Sequence, residues 1–152
     1  MSYDQERSSI ETYFAAKWGL KTPLYFDGQG SEPVINSVRL TINSGARLQG
    51  SIGRQKNRID HIGTLVVSIY TDGEKGSAGW RPLADQVIGY LHEVTLDVNG
   101  SPITATADAF LRFSPVGPNG RAQQHPYISA SFKDMPFHIT NVTAPFARYE
   151  YI

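Results

Sequence analysis

The sequence predicts an α+β domain: a mainly antiparallel sheet with two helices packed on one face, and an extended basic hairpin loop. Two apolar stripes at helical spacing mark the helices. Several segments with period-two alternation mark the strands, and the order is helix, strands, helix, strands. No repeat, low-complexity tract or linker divides the 152 residues, so residues 1–152 read as one domain.

The first helix is expected over Tyr3 to Trp18. Ile10, Tyr13, Phe14 and Trp18 share one face. Ser2 or Asp4 is placed to cap it, Asp4 and Glu6 suit the positive end of its dipole, and Gly19 is placed to stop it. A short strand follows at Leu24 to Phe26. From Val34 to Ile42 the pattern puts Val34, Val38, Leu40 and Ile42 inward, and Ser37, Arg39 and Thr41 outward. A turn at Asn43-Ser44-Gly45 then leads to a second short strand, Ala46 to Ile52. The strongest strand is His61 to Thr71. It has apolar side chains on both faces, as a central strand does.

The loop DGEKGSAG precedes a second helix near Trp80 to His92. Its stripe is Trp80, Leu83, Ala84, Val87, Ile88 and Leu91, and Pro82 is expected in its first turn. A strand at Thr104 to Phe113 is expected to pair with Tyr127 to Phe132 as a hairpin with a long tip, SPVGPNGRAQQH. A last strand is expected within Phe137 to Val142. The tail FARYEYI then adds to a sheet edge.

Charge is segregated. The net charge is zero, yet no acidic residue occurs between Pro33 and Ile59, where Arg39, Arg47, Arg54, Lys56 and Arg58 lie among glycines 45, 50 and 53. Such an excursion between core strands suits contact with something outside the domain. Arg47, Arg54, Lys56 and Arg58 are the candidates for a subunit or tube interface, or for a DNA-facing loop. Asp72, Glu74 and Asp85, with Asp108, are candidates for a complementary acidic patch. Phe146, Tyr149 and Tyr151 are a candidate interface in the tail, with intrachain packing as the alternative.

Several chemistries find no support. There is no cysteine, which removes disulfides, thiolate metal sites and cysteine nucleophiles. His61, His92, His125 and His138 are not at metal-ligand spacing, so no metal is assigned. His92 suits the last carbonyls of a helix. HExxH, GxSxG, GxGxxG and P-loop motifs are absent, and the carboxylates are scattered. The reading is therefore of a non-enzyme without a cofactor. No apolar run is long enough for a membrane span, and MSYDQERSSIE reads as neither a signal nor a transit peptide. Asn141-Val142-Thr143 matches a glycosylation sequon by chance.

In order along the chain come ERSSIETYFAAKW, TPLYFDG, VRLTI, GSIG, RIDHIGTLVVSIYTDGEKG and the closing VTAPFARYEY. Taken together they resemble the tail terminator (tail completion) proteins of long-tailed bacteriophages, including a related phage domain of unknown function. The resemblance spans nearly the whole chain. It implies a homo-oligomeric ring, a hexamer, that caps the tail tube, stops its polymerisation and offers a surface to the head–tail connector protein. It also implies a place at the neck end of the virion tail, with assembly in the host cytoplasm. DNA passing through the ring would be a non-specific contact. Two other readings stand beside it: another neck or tail component, such as a connector or tube subunit, and a small non-specific nucleic-acid-binding module.

Overall fold

A computed structural model describes residues 3–19, 22–26, 34–49, 57–104, 109–115 and 123–151. The elements run α1 (Tyr3–Trp18), β1 (Leu24–Tyr25), β2 (Ser37–Gln49), β3 (Arg58–Asp72), α2 (Ser77–Tyr90), β4 (Thr95–Leu96), β5 (Leu111–Phe113), β6 (Tyr127–Asp134) and β7 (Phe137–Tyr151). The strands make one sheet in the order β1-β2-β3-β7-β5-β4, and β6 also pairs with β7. All pairings are antiparallel except β1 with β2, which is parallel. The fold is α+β with the sheet dominating.

Both helices pack on one face. Ile10, Phe14 and Trp18 of α1 join Trp80, Ala84 and Val87 of α2 over Leu65, Val67 and Ile69 of β3 and Val142, Ala144 and Phe146 of β7. The two helices also touch. The Tyr13 hydroxyl donates to the Tyr90 carbonyl, and Trp18 meets the Tyr90 ring edge-on. Gly19 ends α1 at φ 63, with its N–H on the Ala15 carbonyl. Gly63 lets β3 pass under Phe146. A Cβ there would stand 2.7 Å from Phe146 Cζ and 2.7 Å from the Asn43 carbonyl oxygen.

The elements differ from expectation in several places. Asn43 to Gly45 does not turn. β2 continues to Gln49 with a register shift between Ser44 and Arg47, because residue-by-residue pairing with β3 competes with the local turn tendency and wins. Ser37 and Val34 exchange their expected places. The strand starts at Ser37, which is buried and donates to the Val34 carbonyl at 2.6 Å, while Val34 is exposed. Helix α2 begins about a turn earlier than expected, so Pro82 lies in its second turn. Finally, β5 does not pair with β6. It lies between β4 and β7, while β6 forms its own hairpin with β7.

The C-terminal strand makes the largest difference. β7 runs unbroken through Pro145 from Phe137 to Tyr151, along the whole of β3. Its other edge is shared end to end by β6, opposite 137–143, and β5, opposite 146–148. The expected edge tail is thus a central strand. Pro145 is tolerated there because its position falls where β6 stops and β5 begins, and its carbonyl still accepts from the Ser114 N–H.

Candidate functional site

Two features are exposed, toward opposite edges of the sheet. The first is the β2–β3 hairpin. Past Ser44, all of Gly45 to Gln49 is exposed, Arg47 included. Arg58 lies on the sheet face away from the helices, which we call the open face. Its guanidinium pairs with Asp60, Nε to Oδ1 at 2.9 Å, and sits 5.5 Å from the centre of the Tyr149 ring. Arg58 is therefore a partly committed cation, whereas Arg47 faces solvent. Arg54 and Lys56 lie outside the described residues.

The second feature is β6. Seven of its eight residues are exposed, and Ala130 is half-buried. Tyr127 is 53% and Phe132 46% exposed; Ile128 and Met135 are also in solvent. Among the described strands β6 pairs with β7 alone. Its outer edge therefore offers a row of backbone groups flanked by apolar side chains on both faces. Across the open face, from β6 to β2, lie half-buried Ile139, Phe137, Tyr70 and Val66. A groove of about 550 Å³ crosses this face, lined by Asn43, Ile62, Thr64, His125, Tyr127 and Pro145 among others. Its described lining carries one imidazole and no carboxylate or amine, so it offers no acid–base pair.

The acidic candidates are separate from this. Asp72 ends β3 and accepts the Glu74 N–H at 3.0 Å, a local turn bond. Glu74 is exposed in that turn, and Asp85 is exposed on α2. Asp108 lies outside the described residues. The tail candidates divide. Phe146 is a correction: it is fully buried, over Gly63 and edge-on to Phe113 at 5.9 Å, because the central position of β7 turns it into the core. Tyr149 is half-buried under Arg58. Tyr151 pairs through its backbone opposite Arg58, and its side chain is outside the described residues.

Two constellations were not legible in the sequence. One is a buried ionic cluster beneath the N-terminal turns of α1. Arg148, 1% exposed, places Nε 3.2 Å from Glu6 Oε1 and Nη2 3.0 Å from His61 Nδ1. His61 Nε2 is 2.7 Å from Glu150 Oε2, and Ser44 Oγ donates to the second Glu6 oxygen at 3.1 Å. A guanidinium can only donate. His61 Nδ1 is therefore the acceptor, and its Nε2 carries the hydrogen that Glu150 receives. That bond is the main cause holding the Glu150 carboxyl below its usual pKa. Desolvation opposes it, and the charge of Arg148 assists. Glu6 sits on the helix face next to Ser9 and Ile10, and that inward phase was the available signal. Read from the sequence alone, Glu6 is only a partner of the helix dipole.

The other constellation joins His92 and Glu93, just past α2, to His125, just before β6. The two imidazoles are 4.7 Å apart, centre to centre, at 25°. One donor atom from each of the three side chains lies within 4.8 Å of the others. Their separation along the chain hid the group from any spacing motif.

No family model and no curated protein matches the chain. A solved structure named only by a sequence identifier is similar, with a TM-score of 0.65 at 13% identity, over 97% of this chain and 96% of that one. At that identity the likeness concerns the fold alone. It shows that this arrangement of helices and sheet, over nearly its full length, recurs in another protein.

Proposed function

We propose that this protein is a structural assembly subunit, a phage tail terminator that closes into a ring on the end of the tail tube. The observation that carries the reading is the pair of unlike surfaces toward opposite edges of the sheet. One is β6, an edge strand bare on both faces with Tyr127, Ile128 and Phe132 in solvent. The other is the far end of β2, Gly45 to Gln49, where Arg47 is exposed and Leu48 is 42% exposed. A ring of identical subunits joins head to tail, so each subunit must carry two different complementary patches. An exposed edge flanked by aromatics is a hazard for a protein that acts alone, and a joint for one that assembles. The resemblance of the ordered segments to tail terminators supplies the kind of assembly.

The mechanism is steric. The ring covers the growing face of the tube, removes the surface on which the next tube ring would polymerise, and presents a new one to the connector. The work belongs at the neck end of the tail. Contact with passing DNA is secondary, since Arg58 is already held by Asp60 and Tyr149.

The deciding experiment is electron microscopy of the purified protein mixed with purified tail tubes. A cap at one tube end, and headless overlong tails in infected cultures lacking the protein, are the expected results. Normal-length tails without the protein refute the reading. Oligonucleotide binding with a steep salt dependence and no tube capping would place the protein among nucleic-acid binders instead.

A further inference from the structure

We propose that His92, Glu93 and His125 bind a divalent metal ion of the zinc class, and that the ion clips the end of α2 to the segment leading into β6. Two imidazole nitrogens and one carboxylate oxygen form a donor set that such ions take, with a fourth position left for water. Hard cations such as magnesium and calcium prefer all-oxygen shells, so they fit it less well. Around a tetrahedral ion with bonds of about 2.0–2.2 Å, neighbouring donors stand about 3.3–3.6 Å apart. The three donor atoms lie within 4.8 Å of one another. Closing the shell thus takes an inward shift of at most about 1.5 Å, within ordinary side-chain rotation for three exposed residues. No backbone movement is required.

The backbone beneath the three side chains is fixed from both sides. Glu93 adopts φ 51, and its N–H donates to Ser114 Oγ at 3.1 Å. Ser114 is buried, has φ 59, and accepts the Gln123 side-chain amide on its carbonyl at 2.8 Å. The Gln124 N–H donates to the Pro115 carbonyl at 3.0 Å. Two non-glycine residues thus hold left-handed conformations and bond to each other, and the chain that reaches His125 is tied to the same spot. The His92–His125 stack is then the consequence of two anchored segments meeting. The site is independent of ring formation, since all three donors belong to one subunit.

The test uses the full chain, stripped of metal with a chelator and titrated with Co²⁺ as a visible-absorbing probe, then with Zn²⁺ in competition. The expected result is saturable Co²⁺ binding with the absorption of a four- or five-coordinate site, displaced by Zn²⁺, and a higher melting midpoint with metal. His125→Ala and His92→Gln are expected to weaken binding by at least the roughly 10–100-fold that loss of a mere supporting group causes at such sites. Metal-free melting should stay unchanged, because both side chains are exposed. Reading two variants keeps one decisive if the other folds poorly. His61 and His138 remain in both variants and report adventitious binding. Absence of the Co²⁺ spectrum in the wild type, or binding by both folded variants as tight as wild type, overturns the proposal.

Discussion

Arg148 is the residue whose replacement tests the architecture most directly. It is 1% exposed, its partner Glu6 is 3% exposed, and the pair is 3.2 Å apart. Arg148→Met keeps much of the apolar contact with the Tyr3 and Phe110 rings, which lie 5.2 and 5.9 Å from the guanidinium carbon. It removes the charge that compensates Glu6 and the donor that satisfies His61 Nδ1. Breaking one side of a buried ion pair costs about 3–5 kcal/mol. With a urea m-value near 2 kcal/mol per molar, the unfolding midpoint should fall by about 1.5–2.5 M. The double variant Arg148→Met/Glu6→Met removes both charges, so it should recover a large part of the loss rather than add to it. Urea unfolding followed by far-UV circular dichroism, with fluorescence of Trp18 and Trp80 as a second probe, reads both. A loss under about 1 kcal/mol for Arg148→Met, or a double variant as weak as the sum of the single ones, refutes the argument that this pair is held by mutual compensation.

Three further outcomes are expected. The Glu150 carboxyl is held below its usual value, so its contribution to stability is present above about pH 4.5 and is lost as pH falls through its folded-state pKa. Acid unfolding of Glu150→Gln should therefore depend less steeply on pH below that point than the wild type, and identical slopes would contradict the assignment. Gly63→Ala should cost about 1–3 kcal/mol through the Phe146 and Asn43 contacts. Gly89→Ala, in open space on α2, should stabilise by about 0.5–1 kcal/mol; the two melting shifts must have opposite sign. Tyr127→Ser with Phe132→Ser should change folding stability by about 1 kcal/mol or less, since each contributes only an exposed cross-strand pair. It should nevertheless impair ring closure on tail tubes, and unaltered capping would remove β6 from the assembly surface.

The helices were readable because their periodicity is a local property. α1 coincides with its expected bounds, and the stripe from Trp80 to Leu91 names the buried side of α2. β3 was readable for the same reason, with Leu65, Val67 and Ile69 inward. Local signals mislead where a distant partner overrides them. Asn43-Ser44-Gly45 has turn composition, yet β3 supplies a pairing partner for the strand that continues through it. Pro145 has breaker composition, yet the shared edge of β7 leaves a place for it. Phe146 reads as a terminal aromatic, and only the insertion of β7 between β3 and β5 makes it core.

The same division runs through the candidate sites. The sequence by itself determined the α+β class, the apolar faces of both helices, the acid-free basic stretch and the absence of HExxH, GxSxG, GxGxxG and P-loop motifs, because each depends on residues near one another along the chain. Tertiary structure alone decided which strand is central and which edge is bare. It also joined Glu6 to Arg148 and His92 to His125, because strand pairing brings together residues whose separation in sequence carries no period to read.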